Sequence, residues 1–133
     1  FNDFKDFHIK ISGKKTRNDE TWNLQFEALM KNEAYLVLGY LENQLVSGTY
    51  VAHGSEIAYY GVAVNDRELM SKKIPIGHAV LYNSILFAKK IGLNKFILGS
   101  LNYGEDDKVN SILKYKKGFT NTITSKSRYL IQL

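Results

Sequence analysis

The spacing of apolar positions switches from helical to alternating and back along the chain. Phe1, Phe4, Phe7, Ile9 and Ile11 approximate a helical stripe that Gly13 closes. After the polar residues 16–20, Trp22, Leu24, Phe26, Leu29 and Met30 supply the apolar positions of a second helix, which Asp19 or Thr21 can cap and which ends near Asn32. The period then becomes that of strands. Residues 35–41, 45–52 and 57–64 are β-branched and aromatic runs, separated by Glu42-Asn43-Gln44 and Gly54-Ser55, turn segments of hairpin length. An antiparallel three-stranded meander is predicted. Residues 65–73 read as a polar loop, and 76–91 as a helix too apolar around its circumference to lie on the surface, so it packs on a sheet until Gly92 ends it. A short buried strand over 95–99 follows. Asp107 caps a last helix through about Lys116, Gly118 stops it, and 121–133 closes as a strand or short hairpin. The predicted order is α-α-β-β-β-α-β-α-β, a mixed-sheet α/β domain in which the meander is followed by a crossover helix and strand.

Composition narrows the class. A chain of 133 residues is one domain, large enough to bury roughly two-thirds of its unfolded surface. Apolar content of 44% and charged content of 23%, with no long apolar run, describe an ordinary globular protein without a transmembrane segment. The absence of cysteine excludes disulfides, thiolate zinc sites and a cysteine nucleophile, and no metal site is expected. No signal peptide is visible, so a cytoplasmic location is expected, and the start at Phe1 rather than methionine is read as the C-terminal part of a longer chain. The net charge of +5 is spread over small lysine groups, which favours anionic ligands without marking a DNA-binding face.

The richest stretch for chemistry is 71–100, a basic, glycine-bearing loop that feeds an apolar helix and then a buried strand. Pro75 suits a first helical turn, and the amides of Ile76, Gly77 and His78 would then point outward. Gly77 would let a ligand approach the backbone, and the helix dipole with Lys72 and Lys73 suits a phosphate or carboxylate. An ordinary helix start with two solvated lysines is the competing reading.

The element order, with this loop after the third strand, resembles the GNAT (acyl-CoA N-acyltransferase) fold. The residues Lys72-Lys73-Ile74-Pro75-Ile76-Gly77 resemble that family's Arg/Gln-x-x-Gly-x-Gly/Ala pyrophosphate loop, with lysine in place of its first residue and proline in place of its first glycine. A closer resemblance is to the FemAB-like branch. It is carried by residues 16–40, by Tyr59-Tyr60-Gly61, by Pro75-x-x-His78-Ala79, by Ala88-Lys89-Lys90-x-Gly92 and by Tyr115-Lys116-Lys117-Gly118-Phe119. The two residues between Tyr115 and Gly118 match that branch, whereas ordinary acetyltransferases resemble Tyr-x-x-x-Gly-Phe. FemAB-like enzymes usually carry two such domains, and the family's first strand is not recognisable before Phe1.

The resemblance implies an amide-forming acyl or aminoacyl transfer to an amino sugar or cell-envelope precursor, with acyl-CoA or aminoacyl-tRNA as donor and thus charged tRNA as a conceivable partner. It implies donor contacts from Val62, Ala63 and Val64, whose alternative is a plain core strand, and from Lys72, Lys73, Ile74, Pro75, Ile76, Gly77 and His78. His78 is either a phosphate donor or base, or a capping histidine; His8 and His53 read as structural. Glu56 is the default base as the sole carboxylate of its strand, or else a solvated turn residue. Tyr115 is a general-acid candidate or a core aromatic. Asp66 and Glu68 would bind the substrate amine, and Asn102 and Tyr103 would line the open end of the sheet. Two rivals remain: an acetyl-CoA-dependent GNAT N-acetyltransferase, and a non-catalytic anion- or RNA-binding module.

Overall fold

The computed structural model describes residues 1–101, 107–120 and 122–124. They fall into two compact units, Phe1–Gly99 and Ser100–Leu133. The first opens with helix α1 (Asn2–Ser12), which Gly13 ends at φ 69° by donating its amide to Ile9 and Lys10 carbonyls. Helix α2 (Asp19–Met30) is capped by Asn18, not by Asp19 or Thr21: Asn18 Oδ1 accepts from the Thr21 amide at 2.9 Å and from its hydroxyl at 2.6 Å. Asp19 instead sits in the first turn, a favourable place for a carboxylate, and pairs with Lys15 at 2.6 Å.

Strands β1 (Ala34–Leu41), β2 (Gln44–His53) and β3 (Ile57–Asn65) form the expected antiparallel meander. The tight β1–β2 turn holds Glu42 at φ 48° and Asn43 at φ 62°, the double left-handed conformation that matches the twist of a two-residue hairpin. A short helix α3 (Arg67–Ser71) stands where a loop was expected, because Asp66 Oδ1 accepts the Leu69 amide at 3.0 Å. It buries no residue and so left no apolar stripe in the sequence. Helix α4 (Ile76–Lys90) and strand β4 (Lys95–Ile97) complete the unit, β4 lying parallel to β3 at the edge of a β1-β2-β3-β4 sheet. Gly92, at φ 85°, turns the chain between them. The second unit contains helix α5 (Asp107–Lys117). Of the closing strand expected over 121–133, only 122–124 are described, and they carry no regular element.

The sheet has helices on both faces. Phe4, Phe7 and Trp22 of α1 and α2 pack with Ala34, Tyr50, Val62 and Val64 on one face. On the other, Ala88 of α4 packs with Tyr35, Val51 and Ala58, and the Tyr35 hydroxyl donates to the Ser84 carbonyl at 2.7 Å. Burial pushes that phenol up to about 12. Two glycines make room for the helices: a Cβ at Gly48 would lie 2.7 Å from the Phe4 ring, and one at Gly39 would lie 2.7 Å from Val80. The face assignments of α2 differ from expectation. Trp22, Ala28 and Leu29 turn inward, whereas Leu24, Phe26 and Met30 are exposed: Leu24 lies on the far side of the helix from Trp22, and Phe26, one turn on from Trp22, sits at the edge of the inward face against Phe1. Helix α4 does lie on the sheet, through Val80, Leu81, Ser84 and Ala88, while Tyr82, Leu86 and Phe87 are exposed.

β3 changes face within its length. Tyr50 of β2 pairs with Val62 and the next residue, Val51, pairs with Tyr60, so Gly61 is the extra residue of a β-bulge. Ala58 faces α4 before it, and Val62 and Val64 face α1 and α2 after it.

His8 is buried beside Trp22, with Arg17 3.2 Å from Nε2 and Ser12 Oγ 3.3 Å from Nδ1. Arginine can only donate, so Nε2 accepts and the ring is neutral. Burial, then the Arg17 charge, hold its pKa below the ordinary 6.5. The unfolded chain therefore takes up a proton at higher pH than the folded one, and His8 contributes stability that is full above pH 6.5 and lost as pH falls through the folded value. Thermal melts at a series of pH values are expected to show this loss, and His8→Gln to flatten it; an unchanged slope in the variant would assign the effect to other groups.

Candidate functional site

The sheet opens on the β3 side. β4 accompanies β3 only at Ile57–Tyr59, and beyond the Gly61 bulge the outer edge of β3 has no strand beside it among the described residues. Val62 and Val64 are buried and Ala63 is half-buried, so these three present backbone rather than side chain along that edge. At its end, Ser47 Oγ donates to Asn65 Oδ1 at 2.6 Å and the Asp66 amide donates to the Val46 carbonyl at 2.8 Å.

The loop to α4 is shaped by the end of α3. Ile74 donates its amide to the Leu69 carbonyl and Lys73 donates to Met70, the paired bonds of a Schellman ending, with Lys73 in the left-handed position at φ 60°. Lys72 is exposed and pairs with Glu68 at 2.6 Å, and that hydrogen bond and charge hold its ammonium pKa up. Pro75 is the N-cap of α4 rather than a first-turn residue; its carbonyl accepts from Ala79 at 3.0 Å. The Ile76 amide does not point outward: it donates to the Ile74 carbonyl at 2.9 Å across a tight turn at Pro75. His78 is exposed in the first turn. At Gly77 the space a side chain would fill is occupied by Asn65, whose amide atoms lie 3.0 and 3.1 Å from an ideal Cβ position. A larger residue there would make the Asn65 side chain give way by a few tenths of an ångström, so a close protein contact, and not only an approaching ligand, favours glycine.

The strand end and the loop thus bring together Val62, Ala63, Val64, Asp66, Lys72, Lys73, Ile74, Pro75, Ile76, Gly77 and His78. Asp66 is engaged as the cap of α3, and Glu68 as the partner of Lys72. Glu56 lies at the other end of β3, exposed, with its carbonyl accepting from the Asn94 and Lys95 amides. Nine residues of extended strand, about 30 Å at 3.3 Å each, separate it from the loop. Tyr115 stands on α5 in the second unit, its ring edge-on to Phe119 at 5.4 Å. Asn102 and Tyr103 lie outside the described residues. Among the described residues no group of His, Asp and Glu is placed to hold a metal, and no helix is long and apolar enough to cross a membrane. Sequence reasoning missed Asn65 and Ser47, and it missed the bulge, which a lone glycine inside a strand pattern can signal.

The sequence matches no protein-family model and no curated protein. Solved structures do match. An aminoglycoside acetyltransferase from an uncultured soil metagenomic sample, in complex with trehalose, superposes with a TM-score of 0.68 at 15% identity, over 100% of this chain and 87% of that one. A ribosomal-protein-alanine N-acetyltransferase from Brucella melitensis gives 0.65 at 14% identity, over 99% of this chain and 92% of its own. A GNAT family acetyltransferase from Elizabethkingia anophelis with acetyl-CoA bound gives 0.65 at 16% identity, over 90% and 69%. The fold is that of the GNAT acetyltransferases.

Proposed function

We propose that this chain is an N-acyltransferase that moves an acyl group from an acyl-CoA to a primary amine, with an amino sugar or cell-envelope precursor as acceptor. The observation that carries the reading is the parting of β3 and β4 beside the basic loop at α4, in a fold shared with N-acetyltransferases. An acyl-CoA is preferred to a charged tRNA because the fold likeness includes a protein with acetyl-CoA bound. The outer edge of β3 at Val62, Ala63 and Val64 offers backbone groups to the amides of the donor's arm, as a strand edge receives a peptide. The diphosphate would lie on the loop, against Lys72, Lys73 and the first turn of α4 through His78. In the reaction the neutral amine nitrogen attacks the thioester carbonyl, the C–N bond forms, the C–S bond breaks, the nitrogen loses one proton to solvent and the thiolate takes one up.

Tyr115 is the candidate source of that proton, and its edge-on packing against Phe119 supports the other role, an aromatic packing residue. Tyr115→Phe is accordingly expected to leave turnover within about twofold and melting unchanged. A loss of about 10²-fold with unaltered melting, the size general-acid removal produces, would assign it the acid role instead.

The activity is tested by titrating the chain with acetyl-CoA in a calorimeter and by following thiol release with glucosamine, an aminoglycoside and a peptide amine as acceptors. Saturable acetyl-CoA binding with release dependent on the amino-sugar acceptors supports the proposal, and release with the peptide amine alone would overturn the acceptor it names. No binding at millimolar acetyl-CoA would sink it.

A further inference from the structure

We propose that Asn65 gives a side-chain N–H to the donor where β3 meets α4, and that the buried Ser47 hydroxyl turns it there. The inference rests on the acyl-CoA reading above and adds to it a contact that neither the loop pattern nor the lysines supply.

Ser47 is 1% exposed, and among the described residues its hydroxyl has one partner, Asn65 Oδ1 at 2.6 Å. A buried hydroxyl that leaves its proton unplaced loses the full desolvation of that group, so Ser47 donates and the amide end it meets is the oxygen. The amide nitrogen is thereby fixed as the other end. It has no hydrogen-bond partner among the described residues. The backbone beneath it is held as well, by the Ser47–Asn65 pairing of β2 and β3 and by the Asp66 amide on Val46. The amide head lies over the second residue of α4, 3.1 Å from where a Gly77 Cβ would be. An N–H that is fixed in place, and unpartnered among the described residues, therefore stands between the strand edge proposed for the donor's arm and the loop proposed for its phosphates. A carbonyl or phosphate oxygen is the group it fits; a carboxylate in its place would repel either.

The test compares acetyl-CoA binding, KM and kcat for the wild type, Asn65→Asp and Ser47→Ala. Asn65→Asp keeps the shape, the oxygen that meets Ser47 and the contact with Gly77, and it exchanges only the N–H donor for an anionic oxygen. A carboxylate at a helix start is tolerated by the fold. It is expected to bind acetyl-CoA at least about tenfold more weakly, the scale of one lost charge-assisted bond, with kcat at saturating donor retained. Ser47→Ala leaves Asn65 in place but unaimed, and a weakening of about threefold, again in KM and not in kcat, is expected. A folded Asn65→Asp variant that binds as the wild type does would overturn the assignment of Asn65 while leaving the acyl-CoA reading intact. If Asn65→Asp does not fold, Ser47→Ala decides by the same comparison. Failure of the wild type to bind acetyl-CoA overturns the reading and this contact together.

Discussion

Trp22→Ala is expected to cost about 3–5 kcal/mol, enough to leave much of the chain unfolded at 25 °C if its total stability lies at the low end of the usual 5–15 kcal/mol. The indole is 1% exposed and is the largest side chain buried to that degree. It joins α1 to α2: its ring meets Phe1 and Phe4 edge-on at 6.0 and 6.3 Å and His8 at 5.4 Å, and the Arg17 guanidinium lies 5.6 Å above it. Truncation therefore removes buried area and opens a cavity between α1, α2 and the sheet. One term works in the opposite direction. Among the described residues the buried Trp22 Nε1 has no hydrogen-bond partner, a cost of about 1–3 kcal/mol that the folded state carries. Trp22→Phe relieves it, so that variant is expected to fall well short of the alanine loss. Urea denaturation of both variants measures the difference; equal losses would mean that neither the retained ring nor the removed N–H offsets the lost packing.

The core was legible because its signals are local. The α4 helix and the three meander strands follow directly from apolar period and from turn residues such as Glu42 and Asn43, and their bounds fall within a residue or two of expectation. What failed was face and partner. Trp22, Leu24 and Phe26 look alike as apolar positions, but at about 100° per residue Leu24 lies on the far side of the helix from Trp22, while Phe26, one turn on from Trp22, ends half-covered against Phe1 rather than under the sheet. Helix α3 was invisible because a single turn held by one Asp66 cap needs no apolar residue.

The site divides in the same manner. The basic loop and Gly77 were readable as a helix start after a strand. The reason for Gly77 was not, since Asn65 reaches it across a gap that only the sheet register and the crossing of β3 under α4 create. Glu56 was attractive as the lone carboxylate of its strand, a property of composition, whereas its separation from the loop is a property of strand length.

Lys72→Ala with Lys73→Ala is expected to weaken acetyl-CoA binding at least tenfold at low salt, and the two lysines are not expected to share that loss equally. A diphosphate on the loop would exchange hydration for charge-assisted contacts, which are the stronger class of hydrogen bond. Lys73 can make one directly, since among the described residues no carboxylate is within ion-pair distance of it. Its backbone is also held in the left-handed conformation by the Schellman bonds, so its stem leaves the chain in a fixed direction. Lys72 must first release Glu68, which it meets at 2.6 Å one helical turn back. The single Lys73→Ala change should consequently weaken binding more than Lys72→Ala. Glu68→Gln should act in the opposite sense, freeing Lys72 and tightening binding. Because these groups are exposed, salt screens them, and the gap between wild type and double variant should narrow as ionic strength rises past about 0.15 M, where the Debye length falls to about 8 Å. Calorimetric titration at two salt concentrations measures all five proteins, the wild type and the four variants. A double variant that binds acetyl-CoA as tightly as the wild type at low salt would remove the lysines from the donor site and leave them as solvated residues at the end of α3.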